Sequence, residues 1–124
     1  MVPRKSTELN VPVLYKIMPR QEWEEAQAQG IYRGSEVDIK DGFIHLSAAH
    51  QVRATAQKHF SGQADLVLLS LREENLGQSL KWEASRGGDL FPHIYGALQL
   101  TAITDVYPLP LVKGTHQFPG NLPS

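Results

Sequence analysis

The run Leu66-Val67-Leu68-Leu69-Ser70-Leu71 is the most apolar stretch of the chain, and it limits the fold more than any other segment. It is too short for a helix of ordinary length, and apolar side chains at consecutive positions leave neither face of a strand for water. The pattern predicts a central strand over Asp65 to Arg72, covered on both sides. A neighbour of the same kind is available in Val11 to Met18, where Val13, Tyr15 and Ile17 alternate with Leu14, Lys16 and Met18. The chain therefore has to build a sheet with material packed on each face.

The remaining elements follow from periodicity. Arg20 to Gln29 predicts a helix, with Trp23 and Ala26 at helical spacing and Gly30 as the residue that ends it. Ile31 to Lys40 has little periodicity and reads as an irregular loop holding Arg33-Gly34-Ser35. Ala48 to Phe60 predicts a second helix, with Ala49, Val52, Ala56 and Phe60 as its core stripe and Ser47 as its N-cap. Leu80 to Ser85, Phe91 to Tyr95 and Ala102 to Leu109 read as strands, and the tail from Pro110 as irregular or fraying chain. Two early helices followed by a series of strands predict an α+β fold with both helices in the N-terminal half. With 124 residues, the expectation is one domain over 11–112, flanked by a flexible arm over 1–10 and an irregular tail over 113–124.

Chemistry concentrates in two short segments. In Asp41-Gly42-Phe43-Ile44-His45-Leu46-Ser47 a period of two sends Phe43, His45 and Ser47 to one face and Ile44 and Leu46 to the other. In Phe91-Pro92-His93-Ile94-Tyr95-Gly96 the same alternation groups Phe91, His93 and Tyr95. Each segment offers an aromatic ring, an imidazole and a hydroxyl, and their convergence would make a pocket. His45 and His93 are the leading acid-base or binding candidates, because imidazole exchanges a proton near neutrality. The rival reading makes both of them satisfied core histidines.

Three further positions carry two readings each. Lys16 is a cation in an apolar run, either an edge lysine or a contact for an anion or ribose. Gly34 and Ser35 form either a plain connection or a ligand loop in which the glycine permits close backbone approach. Glu83, beside Trp82, is either a desolvated base or an exposed strand carboxylate.

Composition removes several classes of function. The 12 basic and 13 acidic residues, a formal net charge of −1, are scattered along the chain. No basic stripe is available for a nucleic-acid polymer. With no cysteine there is neither a disulfide nor a thiolate nucleophile, which suits the cytoplasm. The polar first ten residues lack the apolar core of a signal peptide, and no run is long enough to span a bilayer. His50 and His59 are spaced away from the i, i+4 interval of a shared metal, so no metal site is expected. Dinucleotide, P-loop and nucleophile-elbow signatures are all missing.

Leu14-Tyr15-Lys16-Ile17, Trp23-Glu24, Tyr32-Arg33-Gly34-Ser35, the 41–47 segment, Lys81-Trp82-Glu83 and the 91–96 segment together resemble the bacterial domain-of-unknown-function family 952, over roughly residues 12–112. The resemblance implies the ADP-ribosyltransferase-like fold, a split β-sheet whose cleft binds NAD or a related nucleotide. Ile44-His45-Leu46-Ser47 is similar to the His-Leu-Ser strand of the RNA 2′-phosphotransferase branch, where the histidine helps to hold the dinucleotide. Lys16 stands where active relatives have a histidine or arginine on the adenosine ribose. On this resemblance Tyr15, Lys16, Gly34, Ser35, His45, Ser47 and Tyr95 bind the nucleotide, and His93 and Glu83 lie nearest the reacting ribose. The transferases' catalytic glutamate has no secure counterpart, and Glu83 is the pocket carboxylate on offer. The implied activity is ADP-ribosyl transfer or NAD glycohydrolysis. Its rivals are a non-catalytic small-molecule-binding or regulatory module on the same fold, and a plain interaction domain.

Overall fold

The computed structural model describes residues 13–85, 87–120 and 122. The expected arm over 1–10 and the first two residues of the expected first strand lie outside them. The described chain runs β1 (Val13–Pro19), α1 (Arg20–Gln29), β2 (Ile31–Tyr32), α2 (Glu36–Asp41), β3 (Ile44–His45), β4 (Ser47–Ala48), α3 (Ala49–His59), β5 (Leu66–Arg72), β6 (Leu80–Ala84), β7 (Leu90–Ile94), β8 (Leu98–Gln99), β9 (Ile103–Leu109), β10 (Leu111–Val112) and β11 (Thr115–His116). Short 3₁₀ turns precede β6 and β9. The mixture of a few helices with antiparallel sheets is an α+β architecture.

The apolar run becomes β5 and occupies an inner position in a four-stranded antiparallel sheet of order β4-β1-β5-β9. Both of its faces are covered, as its composition requires. Tyr15, Ile17, Leu66, Leu68 and Leu109 pack with Val52 and Ala56 of α3. Leu14, Met18, Val67, Leu69 and Leu71 pack on the opposite side with Ala26 of α1, Ile44, Leu46 and Ile94. Ile44 and Ile94 belong to a second sheet, of order β3-β7-β6. The two sheets thus share one apolar layer, while α3 closes the far side of the first.

The structure revises three expectations. The stretch over 31–40 is not irregular: β2 pairs with β8, and α2 is a helix of six residues. Ser35 makes it possible, since its Oγ accepts from the Asp38 N–H at 3.1 Å and Asp38 Oδ2 accepts from the Ser35 N–H at 2.9 Å. This reciprocal capping box satisfies backbone donors that a first helical turn leaves open. The second revision concerns Ser47, which does not cap α3. The N-cap is Ala48, whose N–H is satisfied by Gln51 Oε1 at 2.9 Å, and Ser47 Oγ instead meets Thr55 Oγ1 at 2.9 Å. Finally, the chain after Pro110 forms the hairpin β10–β11, held to the loop after α3 by His116 Nε2 donating to the Gln63 carbonyl at 2.7 Å.

Candidate functional site

His45 and His93 stand directly opposite each other in the β3–β7 ladder. Side chains opposed across an antiparallel pair share a face and touch. Here the ring centroids are 5.3 Å apart, edge to face. Phe43 closes the group, stacking on His93 at 4.1 Å and tilting against His45 at 4.7 Å and Tyr95 at 5.4 Å. The period-two reading therefore holds for Phe43, His45, His93 and Tyr95. It fails at Ser47. Leu46 still donates its N–H to Pro92 O at 3.0 Å, but the chain then leaves the second sheet, and β4 pairs with β1 with Ser47 opposite Tyr15.

Each imidazole meets a carboxylate at Nδ1. Asp38 Oδ1 is 2.6 Å from His45 Nδ1, and Glu83 Oε1 is 2.8 Å from His93 Nδ1. The two pairs sit in different environments. Asp38 is 1% exposed and also takes the Lys16 ammonium at 2.9 Å and the N–H groups of Ser35 and His45 at 2.9 and 3.2 Å. Moving an ammonium and a carboxylate out of water costs several kcal/mol for each ion, and only a full set of partners offsets this. Burial alone would raise the Asp38 carboxyl. The His45 hydrogen bond, the Lys16 charge and the Ser35 N–H outweigh burial and hold it far below the ordinary carboxylate value. Asp38 is thus a fixed anion.

Glu83 lies at the rim, its side chain 37% exposed. Its partners are His93 and the Tyr95 hydroxyl, which donates at 2.8 Å. The hydrogen bonds from His93 and Tyr95 lower its carboxyl, and the same contact raises the Tyr95 phenol. Trp82 does not desolvate Glu83, contrary to one of the two expectations for that carboxylate. The neighbouring position on a strand faces the other way, and the Trp82 indole reaches Glu73 at 3.3 Å. Glu83 is an ionised orienting group for His93 rather than a base with a raised pKa.

The remaining sequence-predicted residues divide between the two faces of β1. Lys16 points to the His45 side through Asp38. Gly34 and Ser35 lie against the same carboxylate, with the Ser35 hydroxyl used in the helix cap. Tyr15 and Ser47 are on the α3 side and do not join the imidazoles. Tyr15 lines an open hollow of about 570 Å³ with Ser70, Thr104, Asp105 and Tyr107. The walls of that hollow contain no histidine. The imidazoles and this hollow are therefore on opposite faces of β1, and the oriented imidazoles are the better guide to function. Among the described residues, no group of three or more His, Asp or Glu side chains is placed to hold a metal ion, and no helix is long and apolar enough to cross a membrane.

Sequence reasoning passed over Asp38 and Asp41 as site residues. Asp41 Oδ2, four residues before His45, lies 3.1 Å from its Nε2. The signal that pointed to Asp38 was present: Ser35-x-x-Asp38 is a capping-box spacing, and Gly42 follows as a helix end.

The profile of DUF952, described as a protein of unknown function, matches residues 17–106. A search of curated proteins finds no match. The chain is similar to protein CC0527 from Caulobacter crescentus, whose crystal structure superposes with a TM-score of 0.81 at 53% identity, covering 85% of this chain and 93% of that one. The solution NMR structure of the same protein gives a TM-score of 0.76 at 52% identity, with 84% and 90% covered.

Proposed function

The chain belongs to the DUF952 family, and from that footing we propose that it is an ADP-ribosyltransferase-like domain that binds NAD or a related nucleotide at the His45–His93 cluster, with transferase or glycohydrolase chemistry. The observation that carries this reading is the pairing of two imidazoles 5.3 Å apart, each with a carboxylate at Nδ1. A ring held in this way presents Nε2 in a set direction, which is the requirement for an oriented acid, base or hydroxyl contact. Of the two imidazoles, His45, with 36% of its side chain exposed against 7% for His93, is the one that a ligand reaches. Lys16 is shielded behind Asp38, so it supports the site rather than touching the ligand. A net charge of −1 favours a small ligand over a nucleic-acid polymer, and the lack of cysteine suits a cytoplasmic protein.

One feature favours the second reading, a non-catalytic binding or regulatory module. Phe43 packs against both imidazoles, and Glu83 is already bound by His93 and Tyr95. The Glu83 carboxylate is then not free to stabilise a cationic ribose.

Calorimetric titration with NAD tests the reading, since His45→Ala is expected to weaken binding about tenfold, or about 1.4 kcal/mol. Equal affinity in the variant would remove His45 from the site. Nicotinamide release on incubation with NAD separates the two readings: release supports chemistry, and binding without release supports the module.

A further inference from the structure

We infer that Asp38 is a positioning residue of the imidazole cluster: it keeps hydrogen on Nδ1 of His45 and so turns a bare Nε2 outward, as an acceptor for a ligand hydroxyl. The last step rests on the cluster being the ligand site. The orientation of the ring does not.

Both oxygens of Asp38 are already committed. Oδ1 faces the His45 N–H and Nδ1, and Oδ2 takes Lys16 and the Ser35 N–H. If Nδ1 lacked hydrogen, its lone pair would face, 2.6 Å away, an oxygen of a carboxylate whose side chain is 1% exposed. A carboxylate also faces Nε2, that of Asp41 at 3.1 Å. A neutral ring has one N–H and can serve only one of these two anions. The choice between them follows from burial. The Asp41 side chain is 42% exposed and can turn into solvent, whereas the Asp38 side chain, 1% exposed, cannot. Hydrogen therefore stays at Nδ1 and Nε2 is left bare.

Glu83 imposes the same polarity on His93, whose Nδ1 lies 2.8 Å from its carboxylate. The His93 side chain is 7% exposed against 36% for His45, so the bare Nε2 open to a ligand is that of His45, and the ligand chemistry that fits it is a donor such as a sugar hydroxyl.

Long-range proton–nitrogen spectra of the imidazoles in the full chain, recorded where the rings are neutral, test this directly. His45 and His93 are expected to carry hydrogen at Nδ1, the minor form of free histidine. In Asp38→Ala, His45 is expected to switch to the Nε2–H form while His93 keeps its pattern, which also reports that the second sheet is intact. Wild-type His45 with hydrogen at Nε2 overturns the inference, as does Nδ1–H persisting in a folded Asp38→Ala. Should that variant not fold, the wild-type spectrum and Asp41→Asn decide: Nδ1–H is expected in both, and its absence from either overturns the inference. If the tautomers are as stated and the wild-type protein does not bind NAD, the nucleotide reading falls and the role of Asp38 stands.

Discussion

The Lys16 ammonium nitrogen stands 2.9 Å from Asp38 Oδ2, and both side chains are almost completely removed from solvent. This pair joins the first strand to the helix that carries the imidazole's partner, so the candidate site and the core share a single ionic anchor. Removing one ion strands the other. Asp38→Ala is expected to destabilise the fold by about 3–5 kcal/mol, while replacing Lys16 and Asp38 together with apolar residues costs less than that single change. Urea denaturation of the two variants measures the difference.

Gly34 is the backbone position with least room for change. Its φ is +112°, and an added Cβ would fall 2.8 Å from the Cβ of Asp38. Gly34→Ala combines backbone strain with a collision against the buried carboxylate, and is expected to cost more than about 2 kcal/mol. Gly30→Ala has a comparable backbone problem, φ +78°, but nothing within 4 Å, so it is expected to cost about 1 kcal/mol. Thermal melts of both variants check the order.

Acid should weaken this protein through Asp38. Its carboxyl lies lower in the folded chain than in the unfolded one, so the folded state binds fewer protons over that range. The stabilisation is therefore complete above the unfolded carboxylate value of about 3.9 and is lost as pH falls below it toward the folded value. Unfolding free energy measured from about pH 6 to about pH 2 is expected to fall more steeply below about pH 4 in the wild type than in Asp38→Asn. Glu83 acts in the same direction, but at the solvent-exposed rim its effect is screened.

Leu69 lies on β5 with no solvent exposure, in the apolar layer between the two sheets. Leu69→Ala leaves a cavity there, and its expected cost is about 2–5 kcal/mol. A change confined to a surface site such as Leu90, 54% exposed, is expected to stay within about 0.5 kcal/mol. Denaturant midpoints of the two variants give the comparison.

Much of this architecture was legible in local pattern. The apolar run became an inner strand, the stripe Val52 and Ala56 became the buried face of α3, and α1 has the predicted limits, ended by a left-handed Gly30. Period-two alternation placed His45 and His93 on chemically similar strands before any pairing was known. These features depend on neighbours within a few residues, where side-chain periodicity and backbone preference operate directly. The short helix α2 was missed because six residues give too little periodicity to detect, although its capping box was written at Ser35 and Asp38.

What the chain by itself determined was the set of buried faces and the residue types available to each strand, since burial of apolar area is read from composition and spacing. Tertiary structure alone decided which polar groups meet. Asp38 joins Lys16, 22 residues away, and His45 faces a ring on a strand formed 48 residues later, while Ser47 leaves that face because β4 pairs with β1. Partner choice of this kind depends on strand register and on the cost of leaving a buried charge unpaired, and neither has a local signature.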